Sequence, residues 1–496
     1  LYETHIFPEL QYTFKHALTH DVAYGSLLQE RRRALHARIA EAIEALSADR
    51  LAEQVELLAH HAVRGQAWDK ALPYLRQAGA KAMARAAHRE AATYFEQALD
   101  ALQHLPETPD MLERAIDLRL DLRASLFPLG EFGRILGYLR DAETLAGKIN
   151  DQPRLGQVYS YLTNQYLTTG EHDQAVASGQ RALDIAQNLR DVDLQLVTNF
   201  HLGQVYASLG DYRRAIDSIR AYLGSVGAGP TREQFDQSAR LVLARTWLVW
   251  WLAELGEFAE GNAIGEESVR TAEGTDQQFE RVVAYLAAGL LYLRKGDLHN
   301  AVPVLEKGLP LCRVGTLAIW FPAIASPLGY AYALSGRLNE AIPLLEQAVE
   351  QTAFLRRVGH ALRIAHLSEA YLLAGQADDA IRLAERALDL SLNHKERGHQ
   401  AYVLRLLGEI ASRRDFPEAE KAEAAYRHAQ ALAEELGMRP LLAHCHLGLG
   451  TLYGRLGRTE EARAALSTAI RLFNSMEMTS WLARAEAALA EVAGAP

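Results

Sequence analysis

Apolar and small residues recur along this chain at spacings that place them on one face of a helix. Around Gly210, the residues Gly203 and Tyr206 share a helical face, and Ala215 follows the glycine. Gly210 can adopt the positive φ that ends a first helix, and Asp211 is placed to cap a second one. The pattern predicts a helical hairpin whose two helices approach closely at Gly203 and Ala215.

This pattern returns about every 40 residues. The equivalent turn glycines are Gly130, Gly170, Gly210, Gly256, Gly296, Gly336, Gly375 and Gly457. From Gly170 onward, the residue four positions before the glycine is tyrosine in six of seven cases, and the residue five positions after it is always small. A unit of this size cannot bury its apolar face alone, so neighbouring units must stack. The sequence therefore predicts an all-α solenoid.

The order of these residues resembles the tetratricopeptide repeat over roughly Leu51 to Glu491, although the period is near 40 residues instead of 34. The resemblance implies a right-handed superhelix in which the first helix of each hairpin lines a concave groove for a protein or peptide partner. The groove-facing residues that this register implies are Asn164, Phe200, Gln204, Trp250, Glu254, Arg294, Tyr330 and Glu369.

Three tryptophans lie close together in one of these units. Trp247 and Trp251 are four residues apart on the expected helix, and we expect them to fill the core between units. Trp250 points elsewhere on the same helix, where it is either a binding hot spot for the partner or a packing residue.

The first fifty residues do not follow the repeat. A Phe-x-His-Ala-Leu element that contains His16 precedes an arginine-rich helix, and the stretch from Tyr12 to Leu46 resembles the end of the winged-helix segment in bacterial signal-transduction ATPases with numerous domains. The resemblance implies that His16 contacts the phosphate of bound ADP as a nucleotide sensor. A histidine packed inside the small domain is the alternative.

The chain is therefore expected to have three parts. Residues 1–48 form the winged-helix remnant with its connecting helix, residues 49–105 form the first irregular helical repeats, and residues 111–496 form the regular array. The break between the last two contains Pro106 and Pro109, and we expect Asp110 to cap the helix that follows.

The region near the carboxy terminus, from Glu435 to Gly450, resembles the repeats of bacterial proteins that join a class III adenylate/guanylate cyclase domain, an AAA-type ATPase and tetratricopeptide repeats. The resemblance implies a ligand-sensing, protein-interaction arm with its own upstream ATPase domain as a partner. ATP or ADP and magnesium would bind in that upstream domain, and no cofactor is expected in this chain. The alternative is a passive oligomerisation scaffold, and a homo-oligomer is compatible with either reading.

Composition narrows the remaining function classes. The net charge of −10 argues against nucleic acid as a direct partner, and the two cysteines are too few for a disulfide framework, which indicates a cytoplasmic protein. We expect no membrane span, on the reading that no uncharged apolar run reaches 18 residues.

Catalytic and metal-binding motifs do not stand out in the sequence. It contains no Gly-x-x-x-x-Gly-Lys-Ser/Thr loop, no Gly-x-Ser-x-Gly elbow and no Cys-x-x-Cys pair. The histidine pairs His60–His61 and His444–His446 are interpreted as packing or surface residues. We therefore expect neither an enzyme nor a metal site in this chain, and an enzyme that uses His16 or His444 is the least supported hypothesis.

Overall fold

The computed structural model describes residues 2–5, 11–13, 22, 24–225, 234–313, 315–355, 359–414 and 418–494. They form two compact units, Leu1–Asp151 and Gln152–Pro496, which are described separately. His16 lies outside the described residues.

The first unit begins with a short antiparallel pair of strands, in which Tyr2 lies opposite Thr13. Helices follow to the end of the unit. The elements are β1 (Tyr2–His5), β2 (Gln11–Thr13), α1 (Gln29–Leu46), α2 (Val55–Arg64), α3 (Trp68–Ala84), α4 (His88–Leu102), α5 (Pro109–Leu126) and α6 (Phe132–Lys148), with 3₁₀ turns at Leu51–Glu53 and Phe127–Leu129.

Helix α5 begins at the expected proline break, but the expected cap is wrong. Thr108, and not Asp110, is the N-cap residue, and its hydroxyl oxygen accepts a hydrogen bond from the Met111 backbone N–H at 3.3 Å. Thr108 has the extended backbone of an N-cap, whereas Asp110 already lies inside the helix. The Asp110 carboxylate instead pairs with Arg114, one turn further on, at 3.0 Å.

The second unit is a stack of helical hairpins. Odd-numbered helices are the first helix of each hairpin and even-numbered helices are the second. In order they are α7 (Gln152–Thr169), α8 (His172–Leu189), α9 (Val192–Ser208), α10 (Tyr212–Ser225), α11 (Gln234–Leu255), α12 (Phe258–Glu273), α13 (Gln278–Lys295), α14 (Leu298–Gly308), α15 (Phe321–Leu334), α16 (Leu338–Leu355), α17 (His360–Leu373), α18 (Ala377–Asn393), α19 (Arg397–Arg413), α20 (Ala419–Glu435), α21 (Arg439–Arg455), α22 (Thr459–Ser475) and α23 (Thr479–Gly494), with 3₁₀ turns at Pro310–Cys312 and Gly315–Trp320.

The hairpin predicted around Gly210 is confirmed. Gly210 has φ +89°, and the Asp211 carboxylate accepts a hydrogen bond from the Arg214 backbone N–H at 3.1 Å. A Cβ atom on Gly203 would lie 3.3 Å from the Ala215 carbonyl oxygen, so the two helices come close at this position. The sequence period therefore marks the points of closest approach between α9 and α10.

The periodic tyrosines and small residues lie in the core as predicted. The alanines five positions after each turn glycine are fully buried: Ala175, Ala215, Ala301, Ala341, Ala380 and Ala462. Among the tyrosines, Tyr166, Tyr206, Tyr332 and Tyr453 are buried, while Tyr292 and Tyr371 are partly buried. The small side chains set the spacing of each hairpin, and the aromatic rings fill the space beside them.

The expectation that no uncharged apolar run reaches 18 residues is wrong. Leu317–Leu334 carries no charge, has a mean hydropathy of 1.4 and is long and apolar enough to cross a membrane by length and composition. In the structure 61% of this stretch is buried, and Ile324 and Leu328 belong to the core that α15 forms with its neighbours. Its apolar character is explained by packing within the stack.

Early and late repeats of the second unit pack against each other, and we call this arrangement the closure of the array. One hydrophobic cluster joins residues of α9 and α11, such as Phe200 and Trp251, to residues of α19 and α21, such as Ala401 and Cys445. The inner faces of the earlier first helices are therefore covered by later repeats of the same unit, and α13 is buried on almost every side.

A line of close contacts, here called the closing seam, runs along the edge of this closure. On one side it contains turn glycines, and on the other it contains side chains at or near the ends of later helices. The pairs are Gly170 with His394, Gly210 with Leu436, Gly256 with Met476 and Gly296 with Trp481. Further ties along it are the Lys395–Asp173 ion pair at 2.6 Å and a hydrogen bond between His394 Nδ1 and the Gly170 carbonyl oxygen at 3.3 Å.

We predict that Gly256→Ala destabilises the protein more than Gly336→Ala. Both glycines have positive φ, which costs an alanine about 1–2 kcal/mol. A Cβ at Gly256 would also lie 2.4 Å from Met476 Sδ, whereas nothing lies within 4 Å of one at Gly336. We expect the steric overlap to add about 1–3 kcal/mol, measured by urea denaturation.

The companion variant Met476→Ala identifies the cause. We expect Met476→Ala to destabilise the protein less in the Gly256→Ala background than in the wild type, because it removes the overlapping sulfur. Equal losses for Gly256→Ala and Gly336→Ala would mean that the seam contact at Gly256 is not formed.

Candidate partner-binding surface inside the repeat array

The residues assigned to the groove from the sequence lie on first helices of the second unit. Asn164 is on α7, Phe200 and Gln204 on α9, Trp250 and Glu254 on α11, Arg294 on α13, Tyr330 on α15 and Glu369 on α17. Phe200, Glu254 and Arg294 are buried, and the others are partly buried. Five of the eight take part in two hydrogen-bonded groups inside the array.

The first group is centred on the Glu254 carboxylate. Its Oε1 atom accepts hydrogen bonds from Trp250 Nε1 at 2.8 Å and from Arg294 Nε at 2.9 Å, and its Oε2 atom accepts one from the Tyr402 hydroxyl at 2.6 Å. Tyr402 lies on α19, 148 positions further along the chain. One carboxylate therefore links two neighbouring repeats to a distant one.

The charges in this group are almost completely removed from solvent. The side chains of Arg294 and Glu254 are 7% and 2% exposed. Burial disfavours the charged guanidinium, but Glu254 together with Tyr402 and Tyr330 outweighs burial, so the pKa of Arg294 is raised. The guanidinium also lies over the Tyr402 ring, 4.2 Å from its centroid, and burial together with Glu254 raises the pKa of Tyr402. Tyr402 therefore remains protonated and acts as a donor.

The second group is centred on the Glu369 carboxylate. Its Oε2 atom accepts hydrogen bonds from the Tyr330 hydroxyl at 3.0 Å and from Arg405 at 2.7 Å. The Tyr330 ring stacks on His366 with the ring centroids 4.3 Å apart, and His366 Nδ1 shares a hydrogen bond with the Ser326 hydroxyl at 2.9 Å. Residues of α15, α17 and α19 are thus joined through one carboxylate and one imidazole.

Together these residues form what we call the inner polar cluster: Trp250, Glu254, Arg294, Tyr330, His366, Glu369, Tyr402 and Arg405. Sequence analysis missed His366, Tyr402 and Arg405. The last two lie on α19, and the sequence has no glycine about one period after Gly375 to set the register there. The spacing was the signal that could have found Arg405. It lies 36 positions after Glu369, which is close to one repeat.

The remaining predicted residues occupy other parts of the inner face. Phe200 packs against the Tyr222 ring, and Gln204 Nε2 donates a hydrogen bond to the Phe200 carbonyl oxygen at 3.2 Å. Among the tryptophans, Trp251 is buried in the core as expected, and Trp247 packs against the same cluster. Trp250 is partly buried and packs there as well, while its indole N–H donates a hydrogen bond to Glu254. The assignment of these positions to a partner remains a prediction.

The histidine pair in the first unit is less simple than the sequence suggested. His36 Nδ1 lies 2.8 Å from His61 Nδ1, and the rings of His36, His60 and His61 contact one another. Burial lowers the pKa of His36 and of His61, and the nearby histidine rings, with Arg64 in the case of His36, add to the lowering. Among the described residues, no group of three or more His, Cys, Asp or Glu side chains is arranged to hold a metal ion.

Two family models match parts of the second unit, and both are described as tetratricopeptide repeats. One matches residues 154–223, which include most of α7 to α10, and the other matches residues 282–312 and 443–475. The chain contains tetratricopeptide repeats. The matched segments coincide with hairpins whose turn glycines and buried alanines follow the period found in the sequence.

The repeats of this chain also resemble those of curated proteins. They are 25% identical over 190 residues to the bovine outer dynein arm-docking complex subunit 4, which is 36% of this chain and 26% of that protein. They are 27% identical over 156 residues to tetratricopeptide repeat protein 29 of Trypanosoma brucei brucei, which is 31% of each. The chain thus spans less than a third of the length of these relatives.

One solved structure with a TM-score of 0.50 has a similar fold, and another matches with a lower score. A Rap protein complexed with competence and sporulation factor matches with a TM-score of 0.50 and 11% identity, over 76% of this chain and 97% of that one. A signal-transduction ATPase with a tetratricopeptide repeat sensor from Pyrococcus horikoshii matches with a TM-score of 0.40 and 14% identity, over 76% of this chain and 54% of that one.

We predict that Glu254→Gln destabilises the repeats by about 3–5 kcal/mol, because the buried Arg294 cation then lacks its carboxylate partner. The matched control is Glu260→Gln, which removes a carboxylate paired with Arg220 where both side chains are about half exposed. We expect the control to lose about 0–1 kcal/mol. Urea denaturation followed by circular dichroism measures both, and similar losses would contradict a buried ion pair.

We also predict a pH dependence that arises from His366. Burial, with the nearby cations Arg294 and Arg363, lowers the pKa of His366 well below 6.5, so the folded state binds its proton less readily than the unfolded state. The stabilising contribution is therefore complete above pH 6.5 and is lost as the pH falls below that value, at up to about 1.4 kcal/mol per pH unit.

The variant His366→Asn isolates this contribution. We expect the free energy of unfolding to fall less steeply between pH 6.5 and 5 in His366→Asn than in the wild type, because the amide does not titrate. His299→Asn, at an exposed position, serves as the control and should keep the wild-type slope. An unchanged slope in His366→Asn would show that this imidazole does not resist protonation in the folded protein.

Proposed function

We propose that this chain is the ligand-sensing, protein-interaction arm of a multidomain signal-transduction ATPase and that it regulates an attached nucleotide-dependent effector. Tetratricopeptide repeats imply a protein-interaction scaffold, and the matched segments support that general function. The resemblance of Tyr12 to Leu46 to a winged-helix segment supports an ATPase domain upstream, where ATP or ADP and magnesium would bind. In this proposal His16 is the nucleotide sensor and the protein acts in the cytoplasm.

The observation that carries the proposal is the hydrogen bond from Tyr402 to Glu254 across 148 positions of the chain. It belongs to a closed arrangement in which α19 and α21 cover the inner faces of earlier repeats. A solenoid can open or close along its whole length by small changes between neighbouring repeats. The inner polar cluster favours the closed arrangement, because the buried Glu254 carboxylate receives the hydrogen bond from Tyr402 only when the distant repeats meet.

A sensor needs a ligand that binds the two states with different affinity. A protein or peptide segment that reaches the inner face would compete with α19 for contacts near Trp250 and Gln204, which are both partly buried. Its binding would favour the open state and shift the repeats relative to the upstream domain. The release of that domain from its ADP-bound state is the regulatory output of this mechanism.

The passive oligomerisation scaffold is the second candidate, and the presence of repeats alone is compatible with it. A scaffold would use the array to join copies or partners without any effect on catalytic rate. The two candidates differ in what a substitution at Trp250 changes. Loss of assembly in light scattering by Trp250→Ala, with an unchanged response of the catalytic rate, would favour the scaffold.

We predict that Tyr402→Phe in the full-length protein raises the basal ATPase or cyclase rate or lowers the ligand concentration that gives half-maximal response. The substitution removes only the hydroxyl that joins α19 to Glu254, and so it weakens the closed state. The matched control is Tyr371→Phe, which removes a hydroxyl that donates to Glu346 at the surface. We expect the control to behave like the wild type in steady-state rate measurements.

Three results would contradict the sensing arm. The first is a full-length protein without an ATPase domain. The second is a Tyr402→Phe protein whose rate and ligand response equal those of Tyr371→Phe. The third is a ligand that binds the repeats with no change in the catalytic rate, which would leave binding intact and reject the coupling.

A further inference from the structure

The closing seam contains a pocket that lies apart from the inner polar cluster. It has a volume of about 530 Å³, and two stretches far apart in the chain line it. One stretch runs from α8 to α10 and includes Val176, Leu209 and Arg214, and the other joins α18 to α19 and includes Leu392 and Lys395. The contacts of Gly170 with His394 and of Gly210 with Leu436 lie on neighbouring turns of the same seam.

The wall of this pocket is part apolar and part basic. Val176, Leu209 and Leu392 supply the apolar part, and the Leu392 side chain is 50% exposed. The cations Arg214, Lys395 and Arg397 line the pocket with a single acid, Asp211. Two of these cations have carboxylate partners just outside the lining, Asp173 for Lys395 and Glu435 for Arg397.

The three cations are available to a ligand in different degrees. Among the described residues no carboxylate pairs with the Arg214 guanidinium, which lies over the Tyr206 ring at 4.1 Å from its centroid. Lys395 pairs with Asp173 and Arg397 pairs with Glu435, and both pairs are at least 40% exposed on each side. Exposed ion pairs are weak, so an incoming carboxylate can replace either partner with little loss. Asp211 is occupied as the cap of α10.

We propose that this seam pocket binds an acidic peptide segment that carries an apolar side chain between its carboxylates. The apolar side chain lies against Leu392, Val176 and Leu209, and the carboxylates pair with Arg214, Lys395 and Arg397. Charge complementarity selects this occupant over a basic or a purely apolar segment. The inference goes beyond the proposed function, because it holds whether or not the repeats regulate an ATPase.

A ligand in this pocket contacts both sides of the seam at once. Residues 206–214 and residues 392–400 belong to repeats that meet only through the closure of the array. Binding therefore stabilises the closed arrangement, since the pocket exists only when the seam is formed. A partner at this site would oppose a ligand that opens the array from the inner face.

The test uses a fluorescein-labelled acetylated peptide with one leucine flanked by two glutamates on each side, and the full repeat chain. We expect its fluorescence anisotropy to rise with protein concentration and the rise to weaken in high salt. Two matched peptides, one with serine in place of leucine and one with lysines in place of the glutamates, should bind at least about tenfold more weakly.

Variants of the protein locate the binding. Arg214→Glu should weaken binding by about tenfold or more, whereas Arg213→Glu, an equal charge change at an exposed neighbour that does not line the pocket, should leave it near the wild-type value. Leu392→Ser should weaken binding several-fold, with Leu189→Ser, which is also exposed, as its control. All four positions are exposed, and thermal melts should confirm that each variant is folded.

Hydrogen exchange provides a second measurement that does not depend on the label. Binding should slow exchange in both turns that border the pocket, residues 209–211 and 394–397. The proposal is overturned if the leucine peptide does not bind, if the serine peptide binds equally, if Arg213→Glu and Arg214→Glu behave alike, or if protection is confined to the first helices that carry the inner polar cluster.

Discussion

The close approach of the two helices in each hairpin is the contact on which the rest of this structure depends. Ala215 faces Gly203 across the α9–α10 contact, and the equivalent position in other hairpins holds a fully buried alanine or, in α12, Gly261. A larger side chain there would push the second helix outward and change the angle at which the next hairpin stacks. Because that angle is repeated along the array, a small error at each step would accumulate, and the distant repeats would no longer meet.

The contact between distant repeats supplies a hydrogen bond that stabilises a buried ion pair. Removing Glu254 and Arg294 from water is unfavourable unless every hydrogen bond of the carboxylate is made, and Tyr402 supplies one of them from another part of the chain. The apolar cluster around Trp251 and Cys445 contributes favourable burial, but many registers could satisfy an apolar surface. The hydrogen bonds to the Glu254 carboxylate are directional, so they form in far fewer registers of the distant repeats. They therefore favour a single closed arrangement.

Much of the repeat architecture was predictable from the sequence, because it depends on local spacing. Gly210 and Asp211 gave the turn and its cap correctly, and the periodic tyrosines identified positions that are buried or partly buried. The contact between early and late repeats could not be predicted from local spacing, because it depends on the angle accumulated over many hairpins. That is why Glu254 was recognised as an inner-face residue while its partner Tyr402 was missed. The charge-free stretch at Leu317–Leu334 was overlooked although the sequence displays it.

The closing seam also limits how this array can have changed in length. Solenoids commonly gain or lose units because each one touches only its neighbours. Here Gly210 contacts Leu436 and Gly256 contacts Met476. One additional hairpin between the two members of a pair would displace the side chain from its glycine. The copy number of the hairpins between Gly170 and Trp481 is therefore fixed by geometry, and duplication of a single unit would be tolerated only outside that stretch.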